Sequence, residues 1–208
     1  MKKFILISGM AIFLMGCNQK EKKPETNDIP GKKDTAVVTS IPATQYTVLD
    51  LSPLDIIYYP SDYPLKKMSG NVTAGPLARI IYSRPQTQKR NVFGVLVKYN
   101  EPWRFGANES TEIEFFSAAT IQNKTIKPGR YILYCIPQET KWTLVLNANL
   151  YSWGLKQDRQ KDLMQFEIPV EKNNTATEYF TIAFEGNEKN ADLIILWDFV
   201  KARLPIQF

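Results

Sequence analysis

"LMQFEIPV", residues 163–170, and "TEYFTIAFE", residues 177–185, decide the fold class. In the first, Met164, Phe166, Ile168 and Val170 share a face against Gln165 and Glu167. In the second, Phe180, Ile182 and Phe184 oppose Tyr179, Thr181 and Glu185. A period of two sends alternate side chains to opposite faces, so both stretches predict strands with one buried and one wet face.

Working outward, "ADLIILWDFV" (191–200) is apolar on both faces near its middle, as a central strand is, with Trp197 on a face with Leu193, Ile195 and Phe199. "KWTLVLN" (141–147) groups Trp142 with Leu144 and Leu146, so both tryptophans are expected in the core. "LDIIYY" (54–59), "LARIIYS" (77–83), "TEIEFFS" (111–117) and "RYILYCI" (130–136) add further strands. Turn chemistry separates them at "KPGR", "PQETK", "EKNNT" and "EGNEKN". The last of these is read as a polar hairpin rather than a calcium loop, because Lys189 stands where a ligand oxygen is required. About nine or ten strands without a long helix predict an all-β single domain over residues 45–208. Its architecture is expected to be an antiparallel two-sheet β-sandwich, jelly-roll-like or immunoglobulin-like.

The N-terminus has a different character. "MKKFILISGMAIFLMGC" couples two lysines to an apolar run too short to span a bilayer, followed by a glycine and a cysteine. Leu14, Met15, Gly16 and Cys17 resemble the bacterial lipobox. That resemblance implies a signal peptide over residues 1–16 and lipidation of Cys17, with diacylglycerol on the thiol and a further acyl chain such as palmitate. Each buried methylene adds about 0.8 kcal/mol of membrane affinity, so such an end is a stable anchor. The expected partner is therefore the membrane, and the expected location the bacterial cell envelope, on its periplasmic or cell-surface side. Residues 17–44 are rich in Lys, Glu, Pro, Thr and Asn and read as a flexible tether. Within it "DTA" (34–36) resembles a short O-glycosylation acceptor, although plain linker is the preferred reading.

Charge and residue types exclude several functions. The net charge of +5 resides mostly in the leader and tether, leaving 19 basic against 17 acidic side chains from Thr35 onward. That is no electrostatic footprint for nucleic acid. The chain has no histidine, which removes Ser-His-Asp and Cys-His catalysis and most transition-metal sites. No metal or other cofactor is expected. With Cys17 lipidated, Cys135 is the remaining thiol and is read as a small buried apolar residue.

The densest chemistry lies in "EPWRFGANES", residues 101–110. Asn100 as a cap, Pro102 in a first turn and Gly106 at its close predict one helical turn over residues 101–105. One reading is a structural corner fastened by a buried Arg104–Glu109 pair, with Arg84, just before Pro85, left freer. A second is a pocket for a small polar ligand, a sugar or organic anion, or a site for an envelope protein. Arg84, Arg90, Arg104, Asn108 and Glu109 would supply its polar contacts, and Trp103 or Trp153 an apolar platform. A third is a histidine-free carboxylate hydrolase acting on a glycan, pairing Glu109 with Asp158 or Asp162.

The ordered series "YSRPQTQKRNVFGVLVKYNEPWRFGANESTEIEF", "IKPGRYILYCIP", "KWTLVLN" and Trp153-Gly154 resembles the bacterial envelope family called domain of unknown function 2911, from about Ser52 to the C-terminus. The resemblance implies no activity. Where that family has tyrosine-glycine before its Trp-Arg pair this chain has Tyr99-Asn100, and where it often has threonine after the pair this chain has Phe105. Asparagine tolerates the left-handed conformation, so the turn is expected to survive.

Overall fold

The computed structural model describes residues 50–187 and 189–208. The signal peptide, Cys17, the tether and the "DTA" motif lie outside them. Among the described residues nine strands are present: β1 (Leu54–Tyr59), β2 (Ala78–Ser83), β3 (Glu112–Phe115), β4 (Ala119–Ile121), β5 (Lys124–Ile126), β6 (Gly129–Pro137), β7 (Lys141–Asn147), β8 (Asp162–Asn187) and β9 (Asn190–Gln207). A six-residue helix, α1 (Tyr63–Met68), and a 3-10 turn at Arg159–Lys161 accompany them. Among the described residues no helix is long and apolar enough to cross a membrane.

All strand pairs are antiparallel, in the order β1-β2-β3-β6-β7-β8-β9-β4-β5. The all-β antiparallel expectation holds. The expected pair of separate sheets meets a ladder that is continuous through β8, giving one nine-stranded sheet. The first part of β8 pairs with β7 and the remainder with β9. "EKNNT", expected as a turn, lies inside this strand; the pairing slips there between Lys172 and Thr177 and again before Thr181. Such slips bend a strand without ending it.

Strands on both sides of β8 bury apolar faces in one core. The Tyr82 hydroxyl of β2 donates to the Ile182 carbonyl of β8 at 3.1 Å, and the Tyr59 and Phe184 rings lie 5.5 Å apart. Trp142, Leu144, Leu146, Phe166 and Ile168 are buried as the alternation predicts, as are Phe180, Ile182 and Phe184. Trp197 is buried too, but Phe199 is 49% exposed. Asp198 has φ +53, and this single left-handed residue shifts the parity of β9: Leu193, Ile195 and Trp197 face inward before it, Ala202, Leu204 and Ile206 after it.

Candidate functional site

The segment 100–111 is not helical. Trp103 forms an antiparallel bridge with Cys135 of β6: its N–H donates to the Cys135 carbonyl at 2.7 Å, and its carbonyl accepts from the Cys135 N–H at 2.9 Å. The Asn100 N–H reaches the Pro137 carbonyl at 2.8 Å, with Asn100 at φ +63, so the left-handed turn survives the loss of glycine while the capping role does not arise. The expected one-turn helix is replaced by extended chain because this segment shares the hydrogen-bonding edge of β6.

Phe105 adopts φ +60 while wholly buried. A bulky residue there stores about 1–3 kcal/mol of strain, offset by ring contacts with Trp103 at 5.3 Å and Phe180 at 5.2 Å. Its carbonyl accepts from the Thr111 hydroxyl at 2.5 Å. This bend sends Phe105 into the core and leaves Arg104 on the wall of a cavity of about 420 Å³, together with Arg90, Lys98, Glu101, Trp103 and Trp197. Gly106 is needed for closeness: a Cβ on it would stand 3.0 Å from the Ser83 carbonyl oxygen.

The expected Arg104–Glu109 pair is not formed. Glu109 is exposed and makes no ion pair with the half-buried Arg104 among the described residues, and the left-handed Phe105 and Asn108 turn the chain between them. Arg104 Nη1 is buried without a hydrogen-bond partner there. Burial lowers its pKa from the ordinary arginine value and the field of Glu109 partly opposes this. Arginine remains charged through such a shift. Arg104 is therefore a cation whose charge no contacting carboxylate among the described residues neutralises.

The other expected site residues divide. Arg90 lines the cavity, fixed by donation from Nε to the Thr87 carbonyl at 2.9 Å and from Nη2 to the Gln86 carbonyl at 2.8 Å. Carbonyls orient the guanidinium and leave its charge in place. Trp103 lines it as well, but one indole face is spent on Trp197, and its Nε1 donates to the Gly106 carbonyl at 3.1 Å. Arg84 is not on the wall and is not free. It pairs with Asp55 at 3.1 Å, donates to the Phe180 carbonyl at 3.3 Å and to Thr181 Oγ1 at 3.0 Å, and lies over the Tyr179 ring. Asn108 is turned to the Asp50 carboxylate, and Trp153 is 53% exposed. Neither they nor Glu109 line the cavity.

The carboxylates of the hydrolase reading are also elsewhere. Asp162 accepts from the Tyr134 hydroxyl at 2.9 Å and from Asn147 Nδ2 at 2.8 Å, while Asp158 accepts from the Gln160 N–H at 3.2 Å. Neither lines the cavity. Cys135 is fully buried and burial pushes its thiol well up, consistent with an apolar role. Among the described residues no group of three or more His, Cys, Asp or Glu side chains is arranged to hold a metal ion.

Sequence reasoning missed Lys98, Glu101, Gly154 and Leu155 on the wall. Gly154 was the legible one, as the second half of Trp153-Gly154. A Cβ there would stand 2.2 Å from Ser110 Oγ and 2.7 Å from Arg104 Cβ, at φ +82. Only glycine lets that loop close over Arg104.

These features define an all-β domain with a cation-lined cavity walled by an irregular strand and its neighbouring loops. The chain belongs to the family described as Protein of unknown function (DUF2911), whose model matches residues 64–206, from α1 into β9. No protein of curated function and no solved structure matches it.

Proposed function

We propose that this chain is a lipid-anchored binding module of the bacterial cell envelope that takes a small organic anion in the cavity beside Arg104. The observation that carries the reading is the Arg104 guanidinium: half-buried, on the cavity wall, with Nη1 unpartnered among the described residues. A buried donor without an acceptor costs about 1–3 kcal/mol, and more when charged, so it is retained where something accepts from it. Arg90 and Lys98 add positive charge to the same wall, while Glu101 contributes the opposing charge and lies 3.9 Å from Lys98. A volume of about 420 Å³ suits a small ligand.

Binding is favoured over glycan hydrolysis because, among the described residues, the wall carries the carboxylate of Glu101 and no second one. Hydrolysis of a glycoside ordinarily requires two facing each other. The anchor at Cys17 rests on the lipobox-like sequence. Calorimetric titration of the full chain in detergent with acetate, succinate, glucuronate and glucose tests the module. At least one anion should bind and neutral glucose should not, and Arg104→Gln should abolish binding without changing the thermal midpoint by more than a few degrees. Equal binding of glucose and glucuronate would sink the anion reading.

A further inference from the structure

The cavity has a cationic wall and an apolar rim. Leu96 and Leu155 both line it and are exposed, Leu155 at 76%, and exposed residues on a cavity wall stand at its mouth. They come from two separate loops. In the first, the Val97 N–H donates to the Val92 carbonyl at 2.8 Å and the Gly94 N–H to the Val97 carbonyl at 2.8 Å, closing a tight turn with Val95 and Leu96 at its tip. Val92 and Val97 are buried at its base, and the Phe93 ring packs against Trp103, Trp142 and Trp197. The tip is thus held out from a core-anchored base, with Val95 67% exposed. In the second loop Leu155 follows Gly154, whose close approach to the Arg104 side chain fixes where it emerges. Aliphatic side chains gathered at one rim and held in water mark a surface that meets an apolar partner.

Charge and chain path say which partner. Among the described residues lining the cavity, the cations Arg90, Lys98 and Arg104 stand against one carboxylate, Glu101. Exposed Lys89 and Lys156 adjoin Arg90 and Leu155 in sequence. Aliphatic tips set among exposed lysine and arginine side chains suit the interface of an anionic bilayer, where the apolar groups enter the acyl boundary and the cations meet headgroup phosphates. Ser52 also lines the cavity, and Asp50, the first described residue, accepts from the Asn108 side chain, so the chain leading from Cys17 joins the domain at this end. Resting on the membrane anchor proposed above, we infer that the cavity mouth is a membrane-docking surface. Val95, Leu96 and Leu155 enter an anionic bilayer, Arg90 and Lys98 bind its headgroup phosphates, and the cavity opens onto the headgroup layer. Each basic residue held near an anionic leaflet strengthens binding about fivefold.

Position-specific quenching by brominated lipids tests this in the full acylated chain carried in vesicles. A bimane label is placed at Val95→Cys and, as a control, at Asn187→Cys; Cys135 is fully buried, and diacylglycerol on Cys17 blocks the other thiol. β1 starts beside Ser52 and ends at Tyr59, whose hydroxyl donates to the carbonyl of Asn190, the partner of Asn187, at 2.8 Å. The control thus lies about 20 Å, the length of that strand, from the Ser52 end. With equal parts of phosphatidylcholine and phosphatidylglycerol, quenching at residue 95 should exceed that at residue 187 several-fold. It should fall several-fold in phosphatidylcholine alone, in about 1 M salt, and in Lys98→Glu and Leu155→Glu. Both substitutions alter exposed side chains, and the comparison of lipids needs neither. Equal quenching at residues 95 and 187, or equal quenching at residue 95 with and without phosphatidylglycerol, would overturn the docking and leave the anchor standing. Self-association of the same chain in detergent would then assign the rim to a second copy. Bimane on the otherwise unaltered chain would mean a free Cys17 and would overturn the anchor on which the docking rests.

Discussion

The indoles of Trp103 and Trp197 stack with ring centroids 5.7 Å apart and planes 20° from parallel. One lies on the irregular segment beside β6 and the other on β9, so the contact ties the cavity wall to the centre of the core. Trp103 also meets Phe93, Phe105, Trp142 and Phe180 edge-on. Trp103→Ala should therefore destabilise the fold by about 3–5 kcal/mol, the usual loss for a large aromatic in a packed core. Chemical denaturation followed by the fluorescence of the remaining tryptophans measures it. A loss under about 1 kcal/mol would make Trp103 a ligand platform instead.

Among the described residues Arg104 lacks a contacting carboxylate, and this reverses the outcome expected of a buried ion pair. Arg104→Met keeps the stem that covers Gly154 and removes an uncompensated charge, so its denaturant midpoint should match or exceed the wild type, within about 1 kcal/mol. Glu109→Gln should be equally silent. Arg84→Ala, by contrast, removes the partner of Asp55 and of the Phe180 carbonyl and should lower the midpoint.

Gly154→Ala combines backbone strain at φ +82 with a clash against Ser110 and Arg104. It should cost more than about 2 kcal/mol or displace residues 152–155, and in either case weaken anion binding. Gly75→Ala is the control, since nothing lies within 4 Å of its added methyl. Equal thermal midpoints for the two variants would contradict the close packing at Gly154.

Glu178 fastens the loop that carries Arg90. Its carboxylate accepts from the Thr87 hydroxyl and from the Gln88 N–H at 2.9 Å, and these bonds, the first above all, hold its pKa below the usual carboxylate range. A depressed folded-state pKa contributes stability that is present above the unfolded value of about 4.3 and lost as pH falls through the lower folded value. The gap in thermal midpoint between wild type and Glu178→Gln should therefore be open at pH 7 and close below about pH 4. A gap that persists undiminished at pH 2 would contradict this linkage.

The anchor has its own test. Cys17→Ser should release the protein from the membrane fraction or leave the precursor uncleaved, because acylation at that residue is the proposed attachment. Normal processing with full membrane retention would remove the lipoprotein proposal.

Alternation made most of the fold legible. The predicted inward faces of β7 and of the stretch 180–184 within β8 are buried, as are Phe166 and Ile168, with Met164 and Val170 half-buried against the same core. What escaped is what alternation does not encode. A lone Asp198 at φ +53 reverses the parity of β9 and exposes Phe199, and no residue type announces such a bulge. "EKNNT" has turn composition yet lies within β8, since pairing with β9 on either side of the slips overrides local preference. The β4–β5 hairpin, with Gln122 and Asn123 both left-handed, is signalled in the sequence by its Asn alone. At the site, Arg90, Trp103 and Arg104 could be picked by chemistry. Asn108, Glu109 and Trp153 carry equally suitable chemistry yet do not line the cavity, since composition does not encode the left-handed turns at Phe105, Asn108 and Gly154 that redirect the chain there.

The passage of β8 through both halves of the sheet has a dynamic consequence. Its residues Asp162–Pro169 are laddered to β7, with a bulge at Leu163, and Val170–Asn187 to β9, so neither half can open without tearing the strand the other depends on. Local excursions should be confined to the loops, and amide protons of β7, β8 and β9 should exchange with solvent only through one shared, global opening event. The cavity wall hangs from β6, the strand next to β7, through the Trp103–Cys135 bridge. It should thus inherit the slow exchange of that cooperative unit, offering a ligand a surface already set before it arrives.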